Sequence, residues 1–178
     1  MEDQAVAAKK LTKQLRKEKC RSFIEIGCGN GWLTNYLRSE LNVPAIGIDI
    51  VKAELKQAVR ISEGKVTFVY GYVFSLDLRA DALILASCIQ YFPDPDRLLK
   101  RLEGTIHIID SPFYEATTVA SARERSQNYF ISKNAEGMAR FYFHHQPIKG
   151  AESLYRPNRF KTLPGGSPFP WFRIRKNS

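Results

Sequence analysis

The chain has 178 residues and a formal net charge of +9, with 44% hydrophobic and 12% aromatic residues. That length fits one domain of ordinary size, and that much apolar surface offsets chain entropy, which excludes wholesale disorder. No apolar run approaches the roughly 20 residues of a membrane-spanning helix, and the opening MEDQAVAAKKLTKQLRK has no apolar signal core, so a soluble, cytoplasmic protein that does not engage membranes is expected. Cys20, Cys28 and Cys88 form no CxxC pair, which points to reduced thiols and to no metal site. The charge is uneven: residues 1–110 carry a net of +2, the remaining 68 carry +7, and no acid follows Glu152.

In chain order, Ala7, Leu11 and Leu15 lie four apart among lysines and arginines, which predicts an amphipathic helix from about Gln4 to Lys19 with a solvated basic face. SFIEIGCGNGWLTNYL then reads as strand, glycine turn and helix, with Leu33, Tyr36 and Leu37 at helical spacing. AIGIDI is a second strand ending at Asp49, and Leu55, Ala58 and Val59 mark the next helix. KVTFVYGYVF, ADALILASCI and GTIHIID supply third, fourth and fifth strands, with PDPDRLLKRLE as a helix between the last two. This alternation predicts an α/β protein with a mostly parallel sheet covered by helices on both faces.

After Asp110 the rhythm changes. TTVASARERSQNYFISKNAEGMA reads as a long polar helix, RFYFHHQ and PWFRIRK as strands, and the proline- and glycine-rich stretch between them as an irregular loop that could order on binding. The organisation expected is a single domain over 1–178: an N-terminal helix in 1–20, a ligand-binding core in 21–110, and a helix, strands and basic loop in 111–178.

The most informative residues surround the first glycine turn. Glycines at the carboxyl end of a first strand let a ligand approach the main chain at the mouth of the following helix. An acid about 20 residues further on, here Asp49 at the end of the second strand, suits ribose hydroxyls. Dinucleotide sites prefer G-x-G-x-x-G, whereas here the third glycine falls one position early at Gly31 and Trp32 fills the dinucleotide position, which argues against NAD.

The string E-I-G-C-G-N-G instead resembles the first motif of class I S-adenosylmethionine-dependent methyltransferases. GIDI and the stretch from Val66 to Ser111 resemble that family's second to fifth strands, including the phrase ASCIQYFPDPD after the fourth. The resemblance implies a Rossmann-like, doubly wound, seven-stranded sheet closed by a C-terminal antiparallel hairpin, with S-adenosyl-L-methionine as cofactor. It implies further that Gly27, Cys28, Gly29 and Gly31 pack under the methionine part, that Glu25 orients its amino group, and that Asp49 holds the ribose. Ile50 would lie against the adenine, Ser87 would meet the methionine end, and Tyr72 would stack over the ring. The family commonly has an acid where this chain has Tyr72.

Methyl transfer needs an in-line nucleophile and a site that excludes water, so a strong base is not required. The loops after the fourth and fifth strands open on the carboxyl side of the sheet and bring forward Gln90, Tyr91, Asp110, Ser111 and Tyr114. His144 and His145, adjacent on an expected strand, point to opposite faces, so at most one reaches the site. Tyr91, Tyr114 and His145 are the candidate catalytic residues, with His145 suited to proton removal. Aromatics interleaved with arginines from Tyr142 to Arg175 equally suit nucleic-acid stacking or the apolar side of a hairpin. The acceptor expected is a small or anionic molecule, with RNA or protein as alternatives, and the assembly a monomer or homodimer. A cofactor-binding module without turnover is the reading from another class.

Overall fold

The computed structural model describes residues 2–157 and 169–176. Seven strands form one sheet in the order β3-β2-β1-β4-β5-β7-β6. They are β1 (Phe23–Ile26), β2 (Ala45–Asp49), β3 (Thr67–Tyr70), β4 (Arg79–Ala86), β5 (Glu103–Ile109), β6 (Glu152–Tyr155) and β7 (Trp171–Ile174). The helices are α1 (Glu2–Lys17), α2 (Trp32–Leu41), α3 (Lys52–Ser62), α4 (Pro95–Arg101) and α5 (Val119–Ser132). β1 to β5 are parallel, and β7 is antiparallel to both β5 and β6. The order reverses between β1 and β4, which pair from Phe23 and Ala82 onward, and such a switch point opens a crevice at the carboxyl ends of the strands.

Strand alternation splits the core in two. Phe23, Ala82 and Ile84 pack against Ala8, Leu11 and Leu15 of α1 and Leu33 and Leu37 of α2. Ile24, Ile26, Leu83 and Leu85 face the other way, toward Leu98 and Leu99 of α4. β1 and the second half of β4 are buried on both sides, which is why β4 reads as a continuous apolar run rather than an alternating one. The buried stripe of α1 runs through Ala8, not Ala7, together with Thr12, whose hydroxyl donates to the Ala8 carbonyl at 2.9 Å. α4 starts where PDPD places it: the Asp94 carboxylate accepts from Arg97 N at 2.9 Å, and Pro95 occupies the first turn, where no N–H is needed.

In the C-terminal third the antiparallel hairpin and its strand at PWFRIRK are present, but the hairpin partner is not the expected one. RFYFHHQ is not a strand: Glu136–Phe141 is a 3-10 segment, and the chain beyond it is extended without ladder partners. Its main-chain groups are used elsewhere, Phe143 N donating to Gln90 O at 2.7 Å and His145 O accepting from Tyr114 N at 2.8 Å. The hairpin partner of β7 is instead Glu152–Tyr155, inside the stretch expected to be loop. The polar helix ends at Ser132 rather than continuing to Ala139. Residues 158–168 of the expected basic loop, with Arg159, Phe160 and Lys161, lie outside the described residues.

Candidate cofactor and acceptor site

The turn from Gly27 to Gly31 joins β1 to α2 with left-handed backbone at Gly27 (φ 71°), Gly29 (φ 51°) and Gly31 (φ 74°). That alternation suits glycine, since L side chains strain there. The three glycines serve different ends. A Cβ on Gly31 would come within 2.7 Å of Ala58 and Phe68, so Gly31 lets α3 and β3 close onto the turn. One on Gly27 would come within 2.8 Å of the Cys88 side chain. A Cβ on Gly29 would meet nothing closer than the Glu54 carboxylate at 3.9 Å, and this is where a ligand can approach the main chain. Cys28 is buried, with its sulfur turned toward Gly47, so it offers the site only its backbone.

Asp49 ties the turn together. Its Oδ2 accepts from Gly29 N and its Oδ1 from Val51 N, both at 2.8 Å. Each carboxylate oxygen has a further lone pair, which leaves capacity for two vicinal hydroxyls. Ile50 (63% exposed) and Tyr72 (55%) present large apolar surfaces beside it. Tyr72 rests against Phe74 with ring centroids 5.2 Å apart. Trp32 stacks on Tyr36 along α2 at 5.8 Å and stays half-exposed, occupying the place a third dinucleotide glycine would leave open.

Glu25 is buried on the helix-covered face of β1, and its Oε2 accepts from Thr34 Oγ1 of α2. Desolvation raises its pKa from the usual 4.5 to about 8, with the Thr34 hydrogen bonds opposing the rise. The folded state therefore keeps a proton that the unfolded chain releases, so stability falls as pH climbs from about 4.5 to about 8. Melting temperatures across that window are expected to decline in the wild type and to flatten in Glu25→Gln; equal slopes would show that Glu25 ionises freely. Thr34 was invisible to sequence reasoning because a partner at that position needs the phase of α2 relative to β1.

At the ends of β4 and β5 sit Ser87 (φ 52°) and Asp110 (φ 49°). The other non-glycine residues with positive φ follow helix ends, where a left-handed residue is ordinary. Here the strain lies at the crevice mouth, a pattern that attends functional loops. Ser87 is exposed, with its hydroxyl donated to the Asp110 carbonyl at 3.0 Å. Ser111, expected to face the cleft, is fully buried and bonded to Ile109 O, because it continues the alternation of β5.

Tyr91 (46% exposed) meets Tyr142 edge-on at 5.8 Å, and Tyr142 meets His144 at 5.2 Å. Tyr114 lies 5.0 Å from His144 and bonds the Tyr142 hydroxyl. Burial and that bond push the Tyr142 phenol well above its ordinary value, so it stays protonated. His144 Nε2 contacts Ser126 Oγ at 3.0 Å. Burial lowers the pKa of both His144 and His145, which favours neutral rings. Among the described residues no cluster of His, Cys, Asp and Glu could hold a metal ion. The structure thus gathers Tyr91, Tyr114 and His145 at one end of the sheet and adds Tyr142, which sequence reading had placed only in an aromatic and basic stretch. That stretch is not one surface: Phe172 and Arg173 are buried, and Trp171 bonds His107, because β7 runs between β5 and β6.

Residues 23–106 match the family model described as a methyltransferase domain. Solved structures agree in fold. The plantazolicin methyltransferase BpumL, in complex with S-adenosylhomocysteine (SAH) and a triazolic desmethylPZN analog, aligns at a TM-score of 0.67 and 16% identity over 98% of this chain and 86% of that one. The same enzyme in complex with SAH aligns at 0.60 and 20% identity over 78% and 56%. DesVI of Streptomyces venezuelae aligns at 0.52 and 17% over 62% and 51%. In the latter two the chain thus spans little more than half of the neighbour's length. No curated protein matches. The fold is that of Rossmann-like methyltransferases, and the part that matches the methyltransferase-domain model includes the glycine turn and Asp49.

Proposed function

We propose that this chain transfers a methyl group from S-adenosylmethionine to a small or anionic acceptor. The observation that carries the reading is the pairing, at the sheet's switch point, of an approachable main chain at Gly29 with the Asp49 carboxylate at the end of β2. The cofactor supplies an electrophilic methyl carbon on a positively charged sulfur. The chain's own residues bind and orient: Asp49 takes the ribose hydroxyls, Ile50 and Tyr72 flank the adenine, and Glu25 faces the methionine amino group. Ser87 and the backbone of Gly27, Cys28, Gly29 and Gly31 shape the methionine end. Tyr91, Tyr114 and His145 line the acceptor side, where a neutral histidine can take the proton that the acceptor loses. The bound azole analog in the BpumL structure supports an acceptor of small or peptide type. For nucleic acid the support is weaker, since Phe172 and Arg173 of β7 are buried.

Calorimetric titration with SAH, beside NAD, tests the reading. Binding of SAH alone supports it, and preference for NAD or binding of neither overturns it. Once an acceptor is found, affinity that barely changes with salt would exclude a polyphosphate partner.

A further inference from the structure

Gln90 follows β4 at the crevice mouth and is 6% exposed. Its Nε2 donates to Ser87 O at 2.7 Å, which fixes the amide orientation, since a flip would set oxygen against oxygen. Its main-chain carbonyl accepts from Phe143 N at 2.7 Å, so the extended 142–145 segment lies over it. Its Oε1 is buried and pairs with nothing among the described residues. A buried acceptor left unpaired forfeits its hydration without compensation, and leucine would fill similar space without that cost.

The second such atom lies close by. His145 Nε2 is likewise buried and unpaired among the described residues. The carbonyls of Phe92 and Ile89, on either side of Gln90, accept from the His145 ring, and burial disfavours a second proton there. Nε2 is then a lone-pair acceptor. Two buried hydrogen-bond acceptors therefore belong to the segment that follows β4 and to the chain packed on it, and neither has a donor among the described residues. No carboxylate or other charged side chain among those residues is bonded to either.

Building on the methyl-transfer reading, we propose that Gln90 Oε1 recognises a proton-bearing group of the acceptor, so that the attacking atom is an N–H or O–H nucleophile. A thioether, a tertiary amine or a carboxylate would leave both acceptors unpaired and is disfavoured by the same physics that rejects a substrate lacking an expected donor. Gln90 and His145 contribute differently, the amide oxygen orienting the donor and the imidazole providing the place to which its proton can go.

The test uses the full chain saturated with SAH and the probe pairs phenol with anisole and aniline with N,N-dimethylaniline. The readout is the Gln90 side-chain amide pair in 15N–1H correlation spectra, assigned by its disappearance in Gln90→Glu. Phenol or aniline is expected to shift that pair, while the methylated partners leave it in place. Equal shifts within a pair, or no shift with any probe, overturn the proposal. Calorimetry with SAH on the same sample separates the two failures: loss of SAH binding defeats the methyl-transfer reading, whereas SAH binding with a silent Gln90 defeats only this one.

Discussion

Asp49→Ala is expected to weaken SAH binding by about 100-fold or more in a calorimetric titration. Two losses combine. The carboxylate can accept from two ribose hydroxyls, and charge-assisted hydrogen bonds contribute about 1.5–3 kcal/mol each. It also holds Gly29 N and Val51 N at 2.8 Å, so its removal frees the turn that shapes the site. At about 1.4 kcal/mol per decade of affinity, even one such bond with a loosened turn reaches 100-fold. Asp49→Asn separates the two contributions: its amide keeps one acceptor oxygen and can hold one backbone N–H, but presents N–H groups where the ligand also donates. Binding by the alanine variant within about threefold of wild type, less than 1 kcal/mol, would remove Asp49 from the site.

The parallel half of the fold was legible because its strands are short apolar runs, all but β4 ended by a glycine or an acid. Asp49 and the glycines could be read as a site since their roles depend on main-chain conformation and chain order. What could not be read depended on tertiary competition. RFYFHHQ has strand-like alternation, but its backbone groups bond Gln90 and Tyr114, and the edge of β5 is taken by β7. Residues 152–155 pair with β7 despite a setting of glycine and proline, because a partner strand can impose extended structure on a weakly patterned segment. The separate roles of Gly27, Gly29 and Gly31 were equally hidden. Only the neighbours Cys88, Ala58 and Phe68 distinguish glycines needed for packing from the one facing open space.

Breaking the buried ion network at the other end of the molecule is expected to cost about 3–5 kcal/mol in denaturant unfolding, the usual loss when one member of such a pair is removed. Glu18, just past α1, accepts from His107 Nε2 at 2.9 Å, from Gln14 Nε2 at 2.7 Å and from Arg173 Nη1 at 2.5 Å. Arg173 also bonds Glu152, and Trp171 Nε1 donates to His107 Nδ1 at 3.2 Å. That last bond makes Nδ1 an acceptor, so the His107 proton sits on Nε2 and points at Glu18. The network thereby fastens the end of α1 to β5, β6 and β7. For Glu18, burial alone would raise the pKa, but bonds from His107, Gln14 and Arg173 prevail and lower it from 4.5 to about 2. A depressed carboxylate stabilises the fold above its unfolded pKa, and that contribution is lost as pH falls from about 4.5 through about 2. Arg173→Met should therefore unfold at lower denaturant at pH 7, and Glu18→Gln should lose much of the acid-side slope. Replacing both partners, Glu18→Leu with Arg173→Met, should recover part of the loss, because no charge is then left unpaired beneath α1. Below the unfolding transition each variant should bind SAH nearly as wild type does, since the glycine turn and Asp49 lie on β1 and β2. An unchanged midpoint and acid slope in Glu18→Gln would mean that apolar packing alone holds α1 to the sheet.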